Sequence, residues 1–213
     1  MAGSRIVLTD ATRAEAVQEA ARVLKAGGVA FLPAEGVYGL HVLASDEHAV
    51  AKLKVLKPRD TAKSHIGLIA RAEDVALWAA ELDPRALALI RAHWPGALTI
   101  VLPASPRVPA SLRCEDGTVA LRVPGNPFLA DVAVLCGGLV LSTSANAPGE
   151  PPALTAEGFL SEQADLVVDQ GPLSGIPSTI VRVERGMVRV LREGAVRIGG
   201  SAVGGSNTAG SAS

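Results

Sequence analysis

Short, unbroken apolar runs alternate with amphipathic stretches along most of this chain, and that alternation limits the fold more than any other feature. The runs RIVL (5–8), VAFLP (29–33), VYGLHVLA (from 37), HIGLIA (65–70), ALTIVLP (97–103), TVALRVP (118–124), LVLS (139–142) and DLVVD (165–169) read as strands. They are mostly apolar at successive positions, as strands covered on both faces are. The stretches between them carry helix signals. Asp10 or Thr12 can cap a helix over 12–26, with Ala16, Ala20, Val23 and Leu24 on one face and Gly27 or Gly28 at its end. Ser45 or Asp46 starts a helix carrying Ala49, Val50, Leu53 and Leu56. Helices are expected over 72–80 and 84–93, the second with Asp83 as cap and Pro84 at its first position. NPFLADVAVLCGG reads as a capped helix from Asn126 to Gly137, and STIVRVERGMVRVLREG as a hairpin turning at Arg185-Gly186. The pattern predicts an α/β fold, a twisted sheet flanked by helices. The connections are not uniform, so the sheet is expected to be mixed.

Composition narrows the function. A length of 213 residues fits one large domain, expected over 1–198, followed by a Gly/Ser-rich tail over 199–213 that is expected to be disordered. Aromatics are only 3% of the chain, so the core must rest on Val, Leu, Ile and Ala, and a base-stacking platform for single-stranded RNA is disfavoured. A net charge of −1 gives no whole-surface basic field. No stretch is apolar for long enough to span a membrane, and MAGSRIVLTD has no secretory h-region. Cys114 and Cys136 have no close-spaced partner and read as reduced thiols, so a cytoplasmic protein is expected.

Ligands of open α/β sheets sit at strand ends, and four loops there carry suitable residues. In LKPRDTAKSH, Lys57, Arg59 and Lys63 either offset a helix dipole or converge on one anion. In DGTVALRVP, Thr118 and Arg122 are four apart on a strand and share a face. Arg122, set in an apolar run, lies at an exposed edge or reaches for an anion. LSTSANAPGE places Ser142, Thr143, Ser144 and Asn146 at the end of a buried strand, as a polar turn or as a close-approach site for a ligand. Arg192 follows a strand in VLREGAV, either as a solvated strand end or as a further cation. Neither a Walker-type loop, a nucleophile elbow nor a metal-ligand spacing among the four histidines is present. The residues point to an anion site of Lys, Arg, Ser and Thr without a covalent nucleophile. That composition suits phosphoryl or nucleotidyl transfer by positioning and charge neutralisation.

Taken in order, GGVAFLPAEGVYGL, LKPRDTAK, PGALTIVLPAS, GTVALRVP, LVLSTSAN with PGEP, PSTIV and VLREGAV resemble the YrdC-like threonylcarbamoyl-AMP synthases in their short, single-domain form. The resemblance runs from about residue 10 to 198. It implies a twisted sheet around a large, concave, basic cavity. It implies a reaction in which L-threonine, bicarbonate and ATP give threonylcarbamoyl-AMP and pyrophosphate, with Mg²⁺ neutralising the phosphates. It implies further that downstream machinery transfers the product to adenosine 37 of certain tRNAs. Carried over by motif, Lys57, Arg59, Lys63, Thr118, Ser144, Asn146 and Arg192 would bind ATP, while Arg122, Ser142 and Tyr38 would hold threonine and the carbamate. Protein ligands for a metal are not identified.

The chain departs from the pattern in one place. The usual PT-x-TVYGLG is PAEGVYGLH here, so two expected threonines are Ala34 and Gly36, and a usual glycine is His41. The usual Pro-Leu after KxRxxxK is Ser64-His65, where His65 is a replacement donor or a surface residue. Lost hydroxyls change which substrate a site accepts. Three readings follow: the synthase, a paralogue using another amine, and a non-catalytic double-stranded-RNA-binding module built on Lys52, Lys54, Lys57, Arg59 and Lys63.

Overall fold

Among the described residues, the strands pair into one ten-stranded sheet. The structure, a computed structural model, describes residues 3–57, 65–147 and 150–199. In chain order the elements are β1 (Ser4–Val7), α1 (Arg13–Lys25), β2 (Ala30–Pro33), β3 (Tyr38–Leu43), α2 (Glu47–Leu56), β4 (Ile66–Leu68), a 3₁₀ turn (Ala72–Asp74), α3 (Val75–Trp78), α4 (Pro84–His93), β5 (Leu98–Pro103), β6 (Thr118–Arg122), α5 (Pro127–Cys136), β7 (Val140–Ser144), α6 (Phe159–Glu162), β8 (Leu166–Asp169), β9 (Thr179–Glu184) and β10 (Met187–Arg192). Their order across the sheet is β1-β8-β2-β3-β7-β4-β6-β5-β9-β10. The sheet is mixed, as the uneven connections suggest: β1–β8, β2–β8, β4–β6 and β5–β9 are parallel, and the remaining neighbours are antiparallel.

Local chemistry fixes most boundaries. Asp46 accepts from the His48 and Ala49 N–H groups at the start of α2, Asp83 from Arg85 N–H at α4, and Asn126 from Phe128 N–H at α5. Pro84 and Pro127 fill first-turn positions that need no N–H. Gly137, at φ 68°, ends α5 in the left-handed region that glycine occupies at little cost. The β9–β10 turn has both Arg185 (φ 50°) and Gly186 (φ 73°) left-handed, the hairpin geometry that matches strand twist. At α1 the expected side-chain cap is missing: the Thr12 hydroxyl donates to the Val7 carbonyl at 2.6 Å instead.

The helix expected over 72–80 is shorter. After Trp78 the chain turns extended, Ala79 bridges to Ala104, and Ala80 N–H donates to the Pro103 carbonyl at 2.9 Å. The end of β5 captures this backbone before another helical turn can form. The short α6 lacks a periodic pattern long enough to announce it. Residues 200–213, most of the Gly/Ser-rich tail, lie outside the described residues.

Two apolar clusters line the two faces. Phe31, Tyr38, Leu40, Leu98, Ile100, Leu121, Leu141 and Val181 pack beneath α2, α3 and α4. Ala30, Leu32, Leu68, Val140, Leu166 and Val168 pack against Ala16, Val17, Ala20 and Leu24 of α1 and Phe128, Leu129 and Val132 of α5. Each fully buried Leu or Ile contributes roughly 2 kcal/mol of transfer free energy, so this aliphatic core needs no aromatic cluster. Beyond α1 and α5, the second face opens into a cavity.

Candidate functional site

The cavity has a volume of about 310 Å³ and is lined by Ala34, Val37, Tyr38, Gly39, Ile66, Arg122, Ser142, Thr143, Ser144, Asn146, Pro152, Pro177, Ser178, Ile180 and Arg192. Every one belongs to a strand or a loop, none to a helix. Register explains the convergence. Ile66 pairs with both Ser142 and Ala120, and Leu68 with Arg122, so Ser142, Ser144, Ile66 and Arg122 rise from one face. The volume falls at the small end of the range for ligand sites.

Lys57 organises the β7 end of this cavity. It caps the C-terminus of α2, donating its N–H to the Leu53 carbonyl, and is only 9% exposed. Its ammonium donates to the Ser144 carbonyl and to Asn146 Oδ1, the latter at 2.7 Å. Ser144 Oγ donates to the same Asn146 oxygen at 2.6 Å, and Asn146 Nδ2 donates to the Glu150 carbonyl at 2.7 Å. One buried cation thus holds the Ser-Thr-Ser-Ala-Asn strand end in place. A point charge ringed by hydroxyl and amide groups is suited to a phosphate.

Arg122 is 4% exposed and stands 2.9 Å from Glu35 Oε2, at ion-pair distance but without hydrogen-bond alignment. The other Glu35 oxygen accepts from Gly125 N–H at 2.8 Å. Among the described residues Arg122 Nε has no hydrogen-bond partner. A buried guanidinium with a donor in hand, on a cavity wall, fits a carboxylate or phosphate ligand. Across the cavity, Arg192 donates from Nε and Nη2 to the Ser178 carbonyl at 3.1 and 2.7 Å, and Ser178 Oγ meets Thr99 Oγ1 at 3.0 Å.

Of the residues named from sequence, Lys57, Arg122, Ser142, Ser144, Asn146 and Arg192 come together here. Arg59 and Lys63 lie outside the described residues, as do Pro148 and Gly149 of PGEP. Two others are not brought in as expected. The Tyr38 ring belongs to the opposite face, stacked on Phe31 with centroids 5.3 Å apart. Its hydroxyl donates to the Gly171 carbonyl at 2.8 Å and accepts from Gln170 N–H at 2.9 Å, and burial pushes its pKa up to about 12. Tyr38 therefore reaches the cavity wall without offering its hydroxyl to it. Thr118 shares the Arg122 face, but four strand residues separate them by about 13 Å. Its hydroxyl donates to Asp116 Oδ1 at 2.6 Å, which together with Arg182 holds the Asp116 carboxyl below its ordinary value.

Three contributors were given no binding role from the sequence, although His41 stood out there as a departure from the family pattern. Glu35 is a carboxylate in an apolar setting, a signal in itself. Ser178 lies in the quoted PSTIV, with nothing local to mark it. His41 is fully buried directly behind Ser142, its Nε2 3.1 Å from Ser142 Oγ. Burial, reinforced by the Arg122 charge, pushes the His41 pKa down to about 4. His65 instead sits 3.4 Å from the Ser111 carbonyl, away from the cavity lining. Cys114 and Cys136 form no disulfide, and burial pushes Cys136 up to about 11, which leaves it unreactive at neutral pH. In the basic stretch, Lys52 donates to the Gly27 carbonyl and Lys57 turns toward the cavity wall, while Lys52 and Lys54 stay exposed. Among the described residues no three His, Cys, Asp or Glu side chains form a metal cluster, and no helix is long and apolar enough to cross a membrane.

Comparison with known proteins gives this arrangement a context. The Sua5/YciO/YrdC family model, described as "Telomere recombination", matches residues 22–194. A threonylcarbamoyl-AMP synthase of Alkalilimnicola ehrlichii is 36% identical over 188 residues, which cover 84% of this chain and 97% of that protein. P. abyssi Sua5, solved in complex with L-threonine, superposes with a TM-score of 0.81 at 29% identity, covering 91% of this chain; the chain spans 58% of that longer protein. E. coli YciO superposes with a TM-score of 0.82 over 93% of this chain and 98% of its own, and at 23% identity it speaks for the fold alone. The chain belongs to the Sua5/YciO/YrdC family.

Proposed function

We infer that this chain is a threonylcarbamoyl-AMP synthase, forming threonylcarbamoyl-AMP and pyrophosphate from L-threonine, bicarbonate and ATP. The observation that carries the reading is the pairing, on one cavity, of Ser144 and Asn146, both held by the Lys57 ammonium, with a buried guanidinium that retains a donor (Arg122). Relatives named as that synthase, spanned almost end to end by this chain, support it. The threonine amine takes up carbon dioxide from bicarbonate to give a carbamate. A carbamate oxygen then attacks the α-phosphorus of ATP, and pyrophosphate leaves with the electron pair. Lys57 and Arg192, with Arg59 and Lys63, offset phosphate charge; Arg122 takes the threonine carboxylate. Mg²⁺ would enter on the nucleotide, held by phosphates and water. The donor set fits that arrangement, since the described lining offers cations, hydroxyls and an amide, and Glu35, the carboxylate beside Arg122, is paired with it. The product would pass to tRNA-modifying machinery in the cytoplasm.

The test is pyrophosphate release with ATP, Mg²⁺, bicarbonate and each amino acid in turn. Release that depends on L-threonine is expected. Release with another amine instead would reassign the protein to a paralogous activity. No turnover with any amine, together with salt-sensitive binding of double-stranded RNA, would replace the enzyme reading with an RNA-binding one.

A further inference from the structure

His41 and Ser142 are direct cross-strand partners on β3 and β7, so their side chains leave the sheet on the same face. The imidazole folds back over Gly39, where an added Cβ would lie 3.0 Å from its Cε1. There Nδ1 sits 3.1 Å from the Gly39 carbonyl oxygen, and Nε2 sits 3.1 Å from Ser142 Oγ. A carbonyl only accepts, so Nδ1 must carry the proton. A neutral ring has a single N–H, and with it on Nδ1 the Nε2 is left as a bare lone pair. The hydrogen in the Nε2–Ser142 contact is then the serine's own. The Gly39 and Ala30 carbonyls favour a charged ring, but complete burial and the Arg122 charge outweigh them and keep it neutral.

We propose that His41 is a positioning residue: it turns the Ser142 hydroxyl into an acceptor toward the cavity, so that this wall takes an N–H or O–H of the amino acid and turns away its carboxylate. The inference rests on the synthase reading above. With its proton directed inward, Ser142 shows the cavity only lone pairs. A carboxylate, which only accepts, meets repulsion there. An amine or hydroxyl finds a partner. Arg122 supplies the complementary preference, a cation for the carboxylate. The two together set which end of the amino acid faces which wall, and so where the amine lies when it becomes a carbamate.

The experiment uses the full chain labelled with [¹⁵N]histidine and long-range ¹H–¹⁵N correlation. His41 is expected as the neutral Nδ1–H tautomer from about pH 7 to about pH 5. Its Nε2 resonance should move in Ser142→Ala, move again when L-threonine is added to the wild type, and stay in place with butyrate, which has a carboxylate alone. In the pyrophosphate assay, Ser142→Ala and His41→Phe should each raise the KM for L-threonine about ten-fold, the scale of one lost hydrogen bond, with the KM for ATP little changed. An Nε2–H tautomer overturns the proposal. So does an unchanged threonine KM in Ser142→Ala, which keeps the fold even if His41→Phe does not. A correct tautomer with a threonine-dependent shift but no turnover would sink the synthase reading alone. A missing shift would sink this one.

Discussion

Replacing His41 with glutamine should change the acid sensitivity of the fold in one pH window only. In the folded protein the ring is fully buried and its pKa is pushed from the ordinary 6.5 down to about 4. The gap is about 2.5 units, and at about 1.4 kcal/mol per unit it corresponds to roughly 3 kcal/mol. The direction follows from which state binds the proton first. The unfolded chain does, so the stability due to the neutral ring is fully present above about pH 6.5. It is lost progressively as pH falls toward 4. Below that both states are protonated and the loss stops. Two depressed aspartates act elsewhere. Asp116 is held down first by the Thr118 hydroxyl, with Arg182 adding to it. Burial pushes Asp169 up, but Gly171 N–H and Arg5 outweigh that and hold it low. Their contributions are present above their ordinary 3.8 and are lost only as pH falls further. Urea unfolding at stepped pH between about 7.5 and 4.5 separates the two. The wild type should lose most of the expected 3 kcal/mol there, and His41→Gln, which does not titrate, should lose far less. Equal losses in both proteins would refute a neutral, buried His41.

Other substitutions probe the cavity. Lys57→Ala removes the ammonium that holds Ser144 and Asn146, and turnover in the pyrophosphate assay should fall by at least about a hundred-fold; near-normal rates would take Lys57 out of the site. Gly36→Ala would put a Cβ 1.9 Å from the Ile176 carbonyl oxygen, so backbone must move, and thermal melting should register a cost of about 1–3 kcal/mol; an unchanged Tm would mean that the 174–177 segment gives way freely. Ala34→Thr adds a hydroxyl at the cavity wall and should lower the KM for L-threonine, whereas an unmoved KM would show that this pocket binds its substrate by other contacts.

The sequence disclosed what short-range chemistry dictates. Helix α5 was readable end to end because Asn126, Pro127 and Gly137 each settle a boundary locally. The β9–β10 turn was readable for the same reason. The helix expected over 72–80 was overextended because its stop comes from Ala104, just past the end of β5 and distant in sequence, and no local residue announces it. The site divides in the same way. Ser142, Ser144 and Asn146 stand together in one strand end. The common face of Thr118 and Arg122 follows from period-two alternation, yet only Arg122 lies at the end of β6 that meets the cavity. The contacts between His41 and Ser142, 101 residues apart, and between Arg122 and Glu35 depend on strand register, which a single chain does not display.

A pocket with so many of its contacts on strands, and no helix among its described lining residues, is tuned differently from one carried wholly on loops. Its strand-borne contacts, Ile66, Arg122, Ser142 and Ser144 among them, stand on a fixed lattice, with neighbours about 5 Å apart between strands and about 7 Å apart along one. Lengthening a loop cannot shift one of these relative to the next. There, new specificity has to come from exchanging single side chains at set lattice points, or from reorienting one with a residue placed behind it. That makes the paired positions 41 and 142 a natural unit of change: the cavity can keep its shape and its serine while the residue at 41 decides which way that serine's proton faces.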